Sequence, residues 1–336
     1  MNPYRANKLP TEYKIDKDML KLISEANEKY GEYKSLLNTL EFDSKFFLDS
    51  VLLNESYKST QIEGTQISQD EMYYLKYMDK TDDNREIQNL KDTIGFAYRQ
   101  ICEGREIGIA LVNDMHKMIF HSVRRATFVP PVSEEVHELL MNLYEYMNDR
   151  VIDPLLVNVA VSHVQFETIH AYKDGNGRLG RALISLQMAM LDEEKPILFL
   201  SEILELYKPS YQRNLMESRR GNMAGFIKFF LQCVIDQCNH YIYKIGRIKQ
   251  IYREDMKKID AIKGNTVYKI MPIIMQQIVF TKKEVQDASG ASESTVSNII
   301  NQLAELNIII PDSTVNKKGY RYQRIYEVFV DIKEFM

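Results

Sequence analysis

Little about this chain of 336 residues is extreme, and its absences narrow the field first. Three cysteines, Cys102, Cys233 and Cys238, are too few for a disulfide scaffold and have no metal-ligand spacing, which fits a reducing cytoplasm. Cys233 and Cys238 stand in an apolar stretch and read as core residues. No apolar run approaches the length of a membrane span, and Met1 to Lys17 is polar, without the apolar centre of a secretory signal. The expectation is a soluble, cytoplasmic protein with no membrane partner. Charge of one sign is missing too: 43 Lys+Arg face 47 Asp+Glu, a net −4. That balance argues against whole-surface attraction to nucleic acid and leaves room only for a local basic patch. Internal repeats and low-complexity tracts are absent. What remains is ordinary globular material, 45% hydrophobic and 27% charged, long enough for two domains and a real core.

The spacing of apolar residues predicts helices over 16–40 and from Ser44 towards Ile62, with Gly64 as the stop signal of the second. Glu63 sits in that last turn, where a carboxylate faces the negative end of the helix dipole at a cost of roughly 0.3–1 kcal/mol. Either it is an exposed glutamate tolerating the penalty, or it has a cationic partner elsewhere in the fold. Ser68 with Glu71 forms a capping box for a helix carrying Met72, Leu75 and Met78. Thr81 to Arg85 reads as a polar connector, followed by helices at 86–102 and 109–121. Arg124 to Ser133, with Pro130 and Pro131, reads as extended or loop. A helix follows to Asn148, and Asp153-Pro154 resembles an N-cap with proline at the first helical position. Helix is expected again to about Leu191, from 201 to Arg220 with an interruption at Pro209, and over 224–262.

The densest chemistry lies in residues 163–181. An apolar helix breaks at Asp174-Gly175-Asn176-Gly177 and a new helix starts on two arginines. Glycine, and asparagine better than most residues, accepts positive φ, so backbone N–H groups can converge there. The positive end of the following helix points at the same spot, which makes an anion site. Arg178 and Arg181, three apart, can both reach a polyphosphate. Asp174 offers one hard oxygen ligand beside it, the usual way of holding magnesium together with phosphate oxygens and waters. His170, with an ordinary imidazole pKa of about 6.5, is suited to take a hydroxyl proton near neutral pH. His163, seven residues earlier, reads as a satisfied core histidine, while His116, His121, His137 and His240 have no supporting constellation. No Walker A loop, kinase set or Rossmann fingerprint competes.

His170-Ala171-Tyr172-Lys173-Asp174-Gly175-Asn176-Gly177-Arg178-Leu179-Gly180-Arg181 resembles the Fic motif, His-x-Phe-x-Asp/Glu-Gly-Asn-Gly-Arg-x-x-Arg, with Tyr172 in place of the usual phenylalanine. The resemblance covers roughly 40–240 and implies a mainly α fold with a Fic-type helical core. It further implies transfer of AMP from ATP to a Ser, Thr or Tyr hydroxyl of a target protein, with release of pyrophosphate. On this resemblance His170 is the general base and Asp174 the Mg2+ ligand. Gly175, Asn176 and Gly177 form the anion hole of an ATP-binding turn that continues through Arg178, Leu179, Gly180 and Arg181. Tyr207 and Tyr211 are candidates for the adenine side. Ser59-Thr60-Gln61-Ile62-Glu63-Gly64 resembles the family's inhibitory motif, Ser/Thr-x-x-x-Glu-Gly/Asn, and implies that Ser59, Glu63 and Gly64 restrain Arg181 and keep the γ-phosphate of ATP from its productive position. The family also places a β-hairpin flap for target docking just before Val129-Pro130-Pro131. Ser122 to Thr127 crosses that region in so few residues that the flap is either absent or lost from the numbering.

The last part changes character after Gly264-Asn265. Thr281 caps a helix over 282–288, Ser289-Gly290-Ala291 turns, and Ser292 caps a second helix to Leu306. Ile308 to Ile310 and Tyr320 to Val330 read as strands around a turn at Asn316 to Gly319, so that a winged helix-turn-helix is expected. The division is then 1–110, an N-terminal helical region with the inhibitory helix at 44–64; 111–240, the Fic core; 241–264, a helical linker; and 265–336, the winged helix. The second helix, with Ser294, Thr295, Ser297, Asn298 and Gln302, has no lysine or arginine. Phosphate contact would fall to Lys282, Lys283, Lys317, Lys318, Arg321 and Arg324 beside it. Two functions follow: an autoinhibited adenylyltransferase acting on an unidentified target, itself included, or a nucleotide-sensing DNA-binding regulator with little transferase activity. A homodimer stays open.

Overall fold

The computed structural model describes residues 6–78, 81–119, 133–192, 195–315 and 319–330. In chain order these form α1 (Lys17–Asn38), α2 (Ser44–Ile62), α3 (Gln69–Met72), α4 (Asp82–Cys102), α5 (Ile109–Ile119) and α6 (Ser133–Asn148). Then come α7 (Leu155–Ile169), α8 (Asn176–Leu191), α9 (Ser201–Leu206), α10 (Lys208–Arg219) and α11 (Met223–Ile259). The remainder is α12 (Thr266–Gln277), β1 (Val279–Thr281), α13 (Lys282–Ser289), α14 (Glu293–Glu305), β2 (Ile310–Asp312), β3 (Gly319–Arg321) and α15 (Gln323–Val330). The protein is mainly α. Among the described residues no helix is long and apolar enough to cross a membrane.

The chain divides into two compact units. The first takes Met1–Glu32, Leu52–Gln66 and Thr81–Asn239; the second takes Tyr33–Val51, Ile67–Lys80 and His240–Met336. In the first, α7 is the axis. Every residue from Leu156 to Ile169 is buried, as befits a helix apolar on all sides, and α6, α8 and α10 pack around it. A buried amide network fixes the register of three of these helices. Gln187 donates to Asn158 Oδ1 at 2.6 Å and to the Met147 carbonyl, and Asn158 donates to the Tyr146 carbonyl at 3.0 Å. Each buried amide is worth keeping because leaving one without a partner costs about 1–3 kcal/mol.

In the second unit Phe46 and Phe47 pack on Phe329, and Phe47 also meets Tyr241 edge-on. Asp255, fully buried on α11, accepts from Tyr322 Oη at 2.8 Å and Arg324 Nη1 at 3.0 Å. The three short strands form an antiparallel sheet in the order β1-β3-β2.

Several boundaries differ from expectation for identifiable reasons. Thr81 is a cap and not a connector: its side chain accepts from Asn84 N and starts α4 at Asp82. Asp153 does not cap α7, because its carboxylate is taken by the Tyr13 and Tyr146 hydroxyls, and Pro154 occupies the N-cap position. The Ser68–Glu71 capping box is present, yet its helix runs only from Gln69 to Met72. The break after α9 falls at Tyr207, and Pro209 sits harmlessly in the first turn of α10. The tail past Tyr320 is the clearest correction. Only Gly319–Arg321 is strand, and α15 buries Ile325, Tyr326 and Phe329 at helical spacing. The Arg124–Ser133 and flap readings fall mostly within 120–132, and Lys317 and Lys318 within 316–318, outside the described residues.

Candidate active site

The α7–α8 junction is built on two left-handed residues. His170 ends α7 at φ 49°, ψ 51°, and Gly175 opens α8 at φ 83°. A left-handed conformation is uncommon for a side chain such as histidine and is kept only where surroundings enforce it. Asn176 braces the loop from the other side, accepting from Tyr172 N at 3.0 Å and donating to Tyr172 O at 2.6 Å. The hydroxyl of Tyr172, absent from a phenylalanine, donates to Asn113 Oδ1 at 2.6 Å, and His116 stacks on the Tyr172 ring at 4.1 Å. His116 thereby joins the site, its Nε2 reaching the Asp174 carbonyl at 3.1 Å. Of the three turn residues only Gly175 uses positive φ. Gly177 leaves room for Glu63: a Cβ there would lie 2.3 Å from Glu63 Oε1 and displace that carboxylate.

His170 Nδ1 lies 3.3 Å from the Glu167 carbonyl. A carbonyl only accepts, so Nδ1 carries the proton and Nε2 carries the lone pair. Burial lowers the His170 pKa from its ordinary value, Arg219 pushes the same way, and the Glu167 carbonyl, Glu63 and Asp174 oppose both. The imidazole is therefore neutral at pH 7, the state a general base needs. His163 is fully engaged in the core. Its Nδ1 donates to the Gly180 carbonyl at 3.2 Å, its Nε2 accepts from Tyr211 Oη at 2.8 Å, and burial drives its pKa to about 3.

Arg181 is 3% exposed and held by α2. Its Nε donates to Ser59 Oγ at 2.9 Å, and its Nη2 to the Ser59 carbonyl at 2.9 Å and Glu63 Oε1 at 2.7 Å. Burial works to raise the pKa of Glu63, but the Arg181 guanidinium, helped by Arg178 and Lys208, holds it below the ordinary carboxylate value. Lys208 Nζ also donates to the Ile62 carbonyl at 2.7 Å, placing a cation at the α2 C-terminus where the dipole favours one. Two further contacts tie α2 to the 201–208 segment. Glu55 accepts from Ser201 N at 2.9 Å and Oγ at 2.6 Å, and Lys58 lies 3.7 Å from Glu205.

Arg178 is 1% exposed. Its Nη1 lies 3.1 Å from Glu86 Oε2 on α4, and its Nη2 3.5 Å from Asp174 Oδ1. Asp174 Oδ1 also accepts from Gly175 N at 2.6 Å. Leu179 and Gly180 are buried on α8, and Gly64 closes α2 at φ 102°. Of the two adenine-side candidates, Tyr207 is 37% exposed and donates to Asp236 at 3.2 Å, whereas Tyr211 is buried against His163 and within hydrogen-bonding reach of Arg181. The structure thus gathers His170, Asp174, the glycine turn, Arg178, Arg181, Ser59, Glu63 and Tyr211, and leaves Tyr207 on Asp236. Sequence reasoning missed Glu86 and Glu167. Each is a single glutamate on a helix, with no local signal that it faces an arginine.

Comparison with known proteins gives the family. The Fic/DOC family model matches residues 80–188 and the Fic/DOC family N-terminal model matches residues 20–99. The chain belongs to the Fic/DOC family. It is 23% identical over 251 residues to protein adenylyltransferase fic-1 of Caenorhabditis elegans, an alignment covering 67% of this chain and 47% of that protein. It is 24% identical over 273 residues to the probable protein adenylyltransferase aq_aa38 of Aquifex aeolicus (strain VF5), covering 70% and 83% respectively. The chain spans about half the length (47%) of the Caenorhabditis relatives it matches. A Fic family protein from Desulfovibrio desulfuricans G20 superposes with a TM-score of 0.59 at 17% identity, over 92% of this chain and 97% of that one. Fic-1 of C. elegans does so with 0.53 at 19%, over 68% and 73%. These likenesses establish the fold.

Proposed function

We propose that this protein is an autoinhibited protein adenylyltransferase acting in the cytoplasm. The observation that carries the reading is His170, an imidazole with lowered pKa held at the end of α7, its Nδ1 on the Glu167 carbonyl, beside the glycine turn that opens α8. Nε2 takes the proton of a Ser, Thr or Tyr hydroxyl. The hydroxyl oxygen forms a bond to the α-phosphorus of ATP, the bond to the bridging oxygen breaks, and pyrophosphate leaves with that electron pair. The first-turn N–H groups of α8, which have no intrahelical partner, receive the phosphates at the positive end of the helix. Arg178, steadied by Glu86, keeps a positive charge beside them. Tyr207, the exposed member of its pair, is the one a base can reach, and Tyr211 steadies Arg181 instead.

Among the described residues no group of three His, Cys, Asp or Glu is gathered to hold a metal unaided. One carboxylate beside a phosphate site suits Mg2+ that arrives on ATP, so Asp174 would hold the ion, which supplies charge neutralisation of the phosphates. Arg181 is shared: Glu63 occupies it in the resting state, and the γ-phosphate must replace Glu63 to reach its place. The test is labelling with ATP carrying the label on the α- or the γ-phosphate. Protein-bound label from the first alone supports AMP transfer, and label from the second alone refutes it. No label from either, with labelling from another nucleotide or from a choline-bearing nucleotide instead, assigns a different transfer chemistry.

A second reading, a DNA-binding regulator, is favoured by one observation. The order α12, β1, α13, α14, β2, β3 with a β1-β3-β2 sheet fits a winged helix-turn-helix. Lys282, however, spends its charge on Ser297 and Asn301 of α14. A gel shift whose strength falls steeply with salt supports this reading, and no shift at low salt removes it.

A further inference from the structure

Glu167 has no task in the scheme above except to lend its backbone carbonyl. It is 6% exposed in the last turn of α7, and its Oε1 is buried without a hydrogen-bond partner. That oxygen is close enough to α8 that a Cβ at Gly180 would stand 2.5 Å from it. The charged and titratable groups facing it are few. Arg181 comes from α8, Glu63 from the end of α2, and Tyr211 and Arg219 from α10. Glu63 is ion-paired with the buried Arg181 guanidinium at 2.7 Å, while Glu167, within electrostatic reach of the same guanidinium, leaves its Oε1 without a hydrogen bond. Like charges so placed do not both ionise readily, and a buried carboxyl that lacks a partner keeps its proton.

We propose that Glu167 is a positioning residue, a reserve counter-ion of Arg181 that stays protonated while Glu63 holds the guanidinium and ionises to hold it when Glu63 leaves. This rests on the reading of Glu63 as a removable partner of Arg181. Without such a reserve, withdrawal of Glu63 would leave a buried arginine uncompensated, which is strongly destabilising. With it, the guanidinium keeps its place until a phosphate arrives, and release of α2 is accompanied by loss of one proton, so higher pH favours release.

Burial is the main cause that pushes the Glu167 pKa up to about 7 in the resting state, where the ordinary value is 4.5; Arg181 opposes it and Glu63 adds to it. A raised folded pKa means stability that is complete below 4.5 and is lost as pH rises through about 7. Once Glu63 is gone the sign turns over, because an ionised Glu167 paired with Arg181 contributes stability at high pH that is lost on acidification.

The experiment is thermal unfolding of the full chain, without nucleotide, at pH 5.5 and pH 8.5. Four proteins are compared: wild type, Glu167→Gln, Glu63→Gly and Glu63→Gly/Glu167→Gln. Glu167→Gln should raise the midpoint by a few degrees at the higher pH in the wild-type background and lower it by a few degrees in the Glu63→Gly background. At the lower pH its effect should shrink in the wild-type background and persist in the Glu63→Gly background, where it is lost only below the ordinary value of 4.5. An effect of the same sign in both backgrounds, or one in the wild-type background that ignores pH, overturns the proposal. Should Glu63→Gly not fold, Glu63→Gln serves as the second background, and the pH dependence of the single Glu167→Gln variant is decisive alone. Because no turnover is measured, failure here is distinct from failure of the adenylyltransferase reading, which the ATP-labelling test decides.

Discussion

Glu63→Gln keeps the shape of the side chain that meets Arg181 and deletes its charge, leaving the buried guanidinium to Ser59, Tyr211 and the neighbouring Glu167. Removing one partner of a fully buried ion pair costs about 3–5 kcal/mol. Here the Arg181 side chain is 2% exposed but the Glu63 side chain keeps 33%, and Ser59 still accepts two bonds from the guanidinium. Water and Ser59 recover part of the loss, so the expected destabilisation is about 2 kcal/mol at pH 7. The pH dependence follows from the depressed pKa of Glu63. Its contribution is present above the ordinary value of 4.5 and is lost as pH falls through the lower, folded one. Urea unfolding followed by circular dichroism at pH 7 and again below pH 4.5 checks both parts. The variant should be less stable at pH 7 and approach wild type on acidification. A variant as stable as wild type at pH 7, or a deficit that persists unchanged in acid, would refute the argument that charge pairing holds α2 on Arg181.

Two further outcomes follow from close contacts. A methyl at Gly177 would sit 2.3 Å from Glu63 Oε1 and 3.0 Å from Arg181 Nη1, so Gly177→Ala displaces the flexible carboxylate and should cost about as much stability as Glu63→Gln. Added to Glu63→Gly, where the space is vacated, it should cost clearly less; strictly additive losses in urea unfolding would count against the steric account. Tyr172→Phe restores the residue usual in the family but removes the donor to Asn113, and should lower stability by about 1 kcal/mol. An increase in the unfolding midpoint would contradict it.

How much of this was legible depends on whether a signal was local. The turn from His170 to Arg181 could be read because its residues are contiguous and glycine, histidine and arginine are scarce together. Glu63 drew notice by sitting against the helix dipole, which left open an exposed glutamate or a cationic partner; Arg181, with Lys208 at the Ile62 carbonyl, supplies the cations. Glu86 and Glu167 stayed hidden because nothing within a few residues marks a helical glutamate as facing an arginine. Tyr211 was singled out for a nucleotide base, but its partners are His163, seventeen positions before Gly180, and Arg181. Only the packing of α10 on α7 brings them together. Beyond Gly264 the local signals competed. The β-branched and aromatic residues of 320–330 suggested strand where Ile325, Tyr326 and Phe329 form the buried face of α15.

The central claim is that Arg181 is contested between Glu63 and ATP, with His170 as the base. The measurement that tests it most directly is incubation with α-labelled ATP and Mg2+, alone and in lysate. Wild type, Glu63→Gly and Glu63→Gly/His170→Ala are compared for label retained on protein after denaturation. Glu63→Gly should label roughly tenfold or more above wild type, the change that about 1.4 kcal/mol of relieved competition produces, and the added His170→Ala should return it to background. Glu63→Gly protein labelling no more than wild type, or labelling that survives the loss of His170, would contradict the account.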